Sequence, residues 1–357
     1  IAITGSCGKT SLKELLGNTI NKYSTATLSP KSFNNKYGVA LSLFNLNLNH
    51  KNGVFEIGMD KKGECIHCWE NIGFGWIEIG GITYHPQDGN PKPRMFCSIR
   101  HRALINRMGL NNPGSEAMEI HLASLKSLQR WSKVPVCINI GKSKNTPNEG
   151  AEQDYAGTFE RLWKFADLFV INVSSPNTPH LRELQADQDL ERIIIACNEV
   201  NERLAGDELG VQKPILIKVA PDLTDEQVTM IADIAMASGC AGIVATNTTT
   251  TRPVKGGVMD EKGGLSGSPL RERSTEVIGL IYSHTEGKIP IIGVGGISDL
   301  DSAWEKIGAG ASLLQLYSAL VFEGPSVIKQ INKGLNRRLK AHGYQNISDA
   351  VGHAHRG

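Results

Sequence analysis

"ILIKVAPDLTDEQVTMIADIAMASGCAGIVATNT" (residues 215–248) decides the fold. It opens on a short apolar strand pattern, "ILIKVA" (215–220), passes through polar residues into a helical pattern, and returns to a second apolar run, "GIVATNT" (242–248). Two strands joined through a helix lie parallel in one sheet. The same alternation extends in both directions: "WIEIGGI" (76–82), "VCINIG" (136–141) and "LFVINVSS" (168–175) come before, and "PIIGVGGI" (290–297) and "SLLQLYS" (312–318) after. Each strand is followed by polar or glycine-rich residues and then a helical pattern. About eight such units over the region that follows Cys65 favour an α/β fold of the TIM (β/α)8 barrel type over an open sheet.

Active sites of such barrels lie at the C-terminal strand ends. Those ends carry Asn139, Asn172, Ser174, Ser175, Lys218, Thr246, Asn247, Thr248, Gly295, Gly296, Tyr317 and Ser318. The set is rich in amides and hydroxyls, with one lysine and almost no carboxylate. Amides pair with a planar ring whose edge alternates N–H and C=O groups, such as a pyrimidine. "GVGGI" and "YS" end the last strands, where exposed N–H groups suit a phosphate. Phosphate, planar ring and one lysine together point to FMN, with the lysine at the flavin edge where reduction deposits negative charge. Taken singly, a strand-end asparagine is more often a turn cap and a glycine pair a bend. Their convergence at successive strand ends carries the reading.

The bulk properties fit an ordinary soluble globular protein. The chain has 357 residues, 40% hydrophobic and 21% charged, with a net charge of +2. That charge is too small to argue for a nucleic-acid partner. No apolar run is long enough to cross a bilayer. Seven cysteines without a paired framework suit a reducing cytoplasm. Cys65 and Cys68 form a CxxC around His67, but no second ligand pair exists to complete a zinc site, and no metal is expected there. The chain starts directly on a strand pattern without Met, and is expected to lack its own N-terminus.

Nine ordered motifs closely resemble the dihydroorotate dehydrogenases, and among them the quinone-dependent class 2 enzymes of pyrimidine synthesis. They are "GNPKPR" (89–94), "LINRMGLNN" (104–112), "INIGKSKNTP" (138–147), "INVSSPNTPHLRELQ" (171–185), "KVAPDLTDEQ" (218–227), "ATNTTTTR" (245–252), "GGLSGSPL" (263–270), "PIIGVGGI" (290–297) and "EKIGAGASLLQLYS" (305–318). The resemblance runs from about residue 58 to the C-terminus. It implies oxidation of dihydroorotate to orotate, with hydride passing to FMN and then to a quinone. Ser175 matches the base, where class 1 enzymes carry cysteine. Serine is intrinsically a poor base and needs a network and a water to carry the proton away. Substrate contacts map to Lys61, Asn106, Arg107, Met108, Gly109, Leu110, Asn172, Asn177, Asn247 and Thr248, with Leu110 replacing a family phenylalanine. FMN contacts map to Ile57, Gly58, Met59, Asp60, Lys61, Gly81, Asn139, Asn172, Lys218, Thr246, Gly267, Gly296, Tyr317 and Ser318. Gly81, in "EIGGIT" (78–83), stands where the family has a threonine against FMN.

The first sixty residues read differently. "IAITGSCGKTSLKELL" (1–16) is a strand, a tight glycine turn and an amphipathic helix. In such a turn Gly5 and Gly8 expose backbone N–H groups, Lys9 reaches phosphates and Thr10 holds Mg²⁺. With "SFNNKYGVALSLFNL" (32–46) and "VFEIGMDKKGE" (54–64) it resembles the ATP site of Mur ligases, most of all the D-alanyl-D-alanine-adding type. Glu56 takes the place of a magnesium-binding carboxylate. The resemblance ends near Glu64, leaving a partial P-loop βαβ fragment too small for a core of its own. The expected division is 1–57 for this fragment, without ligase activity, and 58–357 for the barrel.

At the join, "VFEIGMDKKGE" also fits the dehydrogenase pattern LGLAAGLDKNGE, so "VFEIGM" (54–59) is a candidate first barrel strand. Glu56 and Ile57 replace two alanines beside the flavin. They are expected to weaken FMN binding through bulk and buried charge. The family's membrane-associated N-terminal helices, which form its quinone entrance, have no counterpart in the sequence. Little quinone reduction and little membrane contact are therefore expected, although the family sits peripherally on the cytoplasmic side of the inner membrane. The competing expectation is an impaired chimera in which the glycine turn retains ATP or phosphate binding.

Overall fold

The computed structural model describes residues 72–185, 187–208 and 210–356, together with three short strands nearer the N-terminus. The chain divides into two compact units, Ile1–Cys65 and Ile66–Gly357.

In the first unit, β1 (Ala2–Ile3), β2 (Ala26–Leu28) and β3 (Asn52–Glu56) form a parallel sheet in the order β1-β3-β2. The expectation that "VFEIGM" supplies a barrel strand is not met over its described part. Strand β3 lies in the middle of this small sheet, with Phe55 and Glu56 facing β1 and Asn52–Val54 facing β2. Each of its edges contributes to a ladder there. The glycine turn Gly5–Thr10, the Cys65–Cys68 pair and the segment Ile57–Lys61 lie outside the described residues.

The second unit is built on a seven-stranded parallel sheet. Its members are β4 (Ile77–Ile82), β7 (Val136–Ile140), β8 (Leu168–Asn172), β9 (Ile215–Val219), β10 (Gly242–Ala245), β12 (Ile291–Val294) and β13 (Leu313–Gln315). These are the seven strands read from the sequence, in a curled TIM-barrel-like α/β fold. From β4 to β13 each strand pairs with its successor in the series, as repeated β–α–β units require. The expected count of about eight becomes seven among the described residues. The two edge strands approach each other in the interior, where Gln315 on β13 donates to Glu78 on β4 at 2.7 Å.

Side chains alternate across each strand, and the alternation sorts the sequence into two layers. Facing outward, Ile138, Ile140, Phe169, Ile171, Ile215, Ile217, Ile243 and Ile291 are buried against the surrounding helices, where Tyr155 and Phe159 complete the core. The Phe159 and Phe169 rings lie 4.1 Å apart. Facing inward, Cys137, Val170, Leu216, Val244 and Ile292 form a second apolar cluster. Two residues further along four of these strands come Asn139, Asn172, Lys218 and Thr246. The apolar floor therefore dictates which polar residues line the mouth. The helices are locally encoded: Asp225–Ala237 starts on a capping box in which Thr224 and Gln227 satisfy each other's backbone N–H groups.

Strands β5 (Met95–Ser98), β6 (Ala103–Asn106) and β11 (Gly264–Gly267) make a separate antiparallel sheet, ordered β11-β6-β5. A bridge from Thr249 to Leu265 ties it to the loop after β10, bringing the end of β6 to the barrel mouth.

Candidate active site

A directed chain of side chains crosses the mouth. Glu78 accepts from Asn139 at 2.8 Å, from Lys218 at 2.9 Å and from Gln315 at 2.7 Å. Asn139 in turn accepts from Asn172 at 3.0 Å. The Asn172 oxygen then accepts from the Ser174 N–H, the Ser174 hydroxyl and the Asn247 amide, at 3.3, 3.2 and 3.3 Å. Asn247 also donates to the Ser174 hydroxyl at 3.0 Å and accepts from the Thr248 N–H at 2.7 Å. A carboxylate is an acceptor only, and a backbone N–H a donor only. With one at each end, the orientation of every amide between them is fixed.

The chain separates two adjacent serines. Ser174 is fully buried and its hydroxyl is used within the chain. Among the described residues, the Ser175 hydroxyl has one weak hydrogen bond, accepted from the Asn177 N–H at 3.4 Å, and Ser175 lines a cavity of about 500 Å³. Asn90, Arg107, Asn177, Thr178 and Arg182 share that lining. Asn177 donates to Asn106 at 3.1 Å, bringing together two residues the sequence put in one site. Leu110, with φ of +50°, reaches the same region: a Cβ at Gly81 would meet its side chain at 2.9 Å and the Asn139 oxygen at 3.1 Å. The Arg107 side chain pairs with Glu261 at 2.8 Å and lies over the Phe96 ring.

At the far side, Gly295 and Gly296 follow β12 with φ of +121° and +70°. A Cβ on Gly296 would come within 2.5–2.8 Å of Arg271. Only glycine tolerates both the conformation and the approach. Gly267 ends β11 and is buried, Thr246 is buried, and Ser318 opens the short helix Ser318–Phe322 beside the exposed Tyr317. Of the sequence-derived site residues, Ile57, Gly58, Met59, Asp60, Lys61, Gly5, Gly8, Lys9 and Thr10 lie outside the described residues.

Several residues at the mouth escaped the sequence reading. Glu78 is the chief one. Burial acts to raise its pKa, but the Lys218 charge and the bonds from Gln315, Lys218 and Asn139 outweigh it and hold the carboxyl below its usual value. Its position two residues before Gly80 in a strand was the available signal. Arg182 ties three loops together, donating to the Ser174 carbonyl, Asp222 and the Thr248 carbonyl. Asp222 accepts from Arg182, Thr249, Thr250 and Thr251. Thr178, three residues after Ser175, holds a buried hydroxyl with no hydrogen-bond partner among the described residues. Cys137 lies on the interior floor, where burial and then the Glu78 carboxylate push its thiol well up, so no thiolate stands ready there.

The barrel mouth thus presents oriented amides, one lysine and a glycine turn. The dihydroorotate dehydrogenase family model matches residues 41–339. A dihydroorotate dehydrogenase (quinone) from Rippkaea orientalis is 45% identical over 328 residues, covering 88% of this chain and 83% of its own. One from Gloeobacter violaceus is 46% identical over 295 residues, covering 83% and 80%. The crystal structure of the Eimeria tenella enzyme in complex with ferulenol superposes with a TM-score of 0.76 at 38% identity, covering 81% of each chain. The chain belongs to the dihydroorotate dehydrogenase family. A shorter match, to the Mur ligase middle domain, covers residues 3–74 and overlaps the first.

Proposed function

We propose that the chain oxidises dihydroorotate to orotate for pyrimidine biosynthesis, as an FMN-dependent enzyme of the quinone-using class. The observation that carries this reading is the separation of the two serines: Ser174 is locked in the amide chain, while Ser175 faces the cavity. The flavin fits the residues present. Lys218 lies at the mouth, Asn139 and Asn172 hold fixed amide orientations, and Gly295–Gly296 turns the chain after β12 with a conformation and an approach to Arg271 that only glycine allows.

In this reading Asn106, Asn177, Asn247 and Thr248 hold the substrate ring, and Asn172 faces both ligands. Ser175 takes the proton from C5 and passes it to water. FMN held at this mouth would supply the acceptor for the hydride leaving C6. Lys218 sets a positive charge at the flavin edge, and Thr246, Gly267, Gly296, Tyr317 and Ser318 hold the cofactor. The test is the visible spectrum of the purified protein, followed by anaerobic addition of dihydroorotate. A bound flavin that bleaches supports the assignment; a protein that takes up no flavin from an FMN solution refutes it.

We also infer that the first unit descends from a Mur ligase middle domain. The match over residues 3–74 and the parallel β1-β3-β2 sheet support this. No ligase activity is expected. Measurable ATP binding that disappears in Lys9→Ala would assign the glycine turn a surviving role.

A further inference from the structure

Glu78 takes no part in the reading above, yet three strands converge on it. Asn139 from β7 and Lys218 from β9 share one carboxylate oxygen, at 2.8 and 2.9 Å, and Gln315 from β13 takes the other at 2.7 Å. The side chain is 17% exposed and that of Lys218 14%, so neither charge is well solvated. Among the described residues, no other carboxylate is hydrogen-bonded to Lys218. A buried lysine without such a partner would carry its charge unbalanced toward whatever occupies the mouth.

We infer that Glu78 is a positioning residue that aims the Lys218 ammonium and balances its charge, and thereby sets the reduction potential of the flavin. The inference rests on the proposal that FMN binds at this mouth beside Lys218. Its physical content is electrostatic. Reduction adds negative charge to the flavin, and a nearby cation favours it. An anion hydrogen-bonded to that cation offsets part of the effect. Interaction between such groups is strong where water is excluded. Glu78 therefore holds the potential below the value that Lys218 alone would impose. It also ends the amide chain, since the Asn139 N–H group needs an acceptor on the side away from Asn172.

Charge and geometry are separable by substitution. Glu78→Gln keeps the length and one acceptor but removes the charge. Glu78→Asp keeps the charge and shortens the reach. The measurement is the midpoint potential of the bound flavin, taken by equilibration with reference dyes. Glu78→Gln is expected to shift it upward, and Glu78→Asp to leave it near the parent value. An unchanged or lowered potential in Glu78→Gln overturns the inference, as does an equal shift in both variants. Should Glu78→Gln fail to hold flavin, the comparison passes to Lys218→Gln against Lys218→Gln with Glu78→Gln, where no uncompensated lysine remains. The double variant is expected to have the higher potential of the two, and equal potentials overturn the inference. A parent protein that binds no FMN removes the proposed function instead, which keeps the two failures distinct.

Discussion

Replacing each of the adjacent serines in turn separates chemistry from scaffolding. In Ser175→Ala the hydroxyl lost has a single 3.4 Å bond, to the Asn177 N–H, and faces the cavity. Its removal leaves the amide chain complete and should cost below about 1 kcal/mol of stability. General-base catalysis is worth about 10²- to 10⁴-fold, or about 3–5 kcal/mol of barrier. Flavin reduction by dihydroorotate should fall by that factor in anaerobic stopped flow. Orotate should still perturb the flavin spectrum with nearly the parent affinity. Ser174→Ala should do the reverse. Its hydroxyl bridges the Asn172 oxygen and the Asn247 amide within a fully buried position. Losing it strips a partner from two buried groups, at about 1–3 kcal/mol, so melting temperature and orotate affinity should fall together. If Ser175→Ala reduces its flavin at the parent rate, the assignment of Ser175 as the base is wrong.

Other expected outcomes follow from single positions. Gly296→Ala forces a Cβ against Arg271 at a φ of +70°, and should weaken FMN binding at least tenfold, read by flavin titration. Lys306 is buried against the Arg271 carbonyl and Thr275, and burial lowers its pKa to about 7, despite the Glu305 carboxylate. The unfolded lysine binds its proton up to about pH 10, so the unfolded state holds more protons between these values and stability should rise with pH from 7 to 10. Lys306→Met should abolish that slope in denaturant titrations at pH 7 and pH 9.

How far the sequence carries depends on whether a signal is local. The seven barrel strands were legible because each is a short apolar run with its own turn and helix, and all seven reappear within a few residues of their sequence limits. Ser175, Asn139, Asn172 and Lys218 were legible because strand ends of this fold face the mouth. The partner of β3 was not. "VFEIG" is equally apolar in either sheet, and only pairing decides which edges it joins. In the structure it pairs with β1 on one edge and with β2 on the other.

Glu78 shows the limit most clearly. A carboxylate inside an apolar strand reads from sequence as a cost, and nothing local says what offsets it. Its three donors come from positions 139, 218 and 315, separated from it by 61, 140 and 237 residues. No window of sequence contains them together. What the alternation does supply is the direction in which each must point. Cys137 and Leu216 face the interior, so Asn139 and Lys218, two residues on, face it too. Gln315 lies on the edge strand opposite β4. Closure of the sheet into a curl therefore brings that edge to Glu78, and the carboxylate becomes affordable only because the fold is closed. A variant that breaks this clasp without altering charge, Gln315→Leu, should consequently lower thermal stability while leaving the Lys218–Glu78 pair in place. A parent-like melting temperature in that variant would mean that the ladders and helices alone keep the edges together.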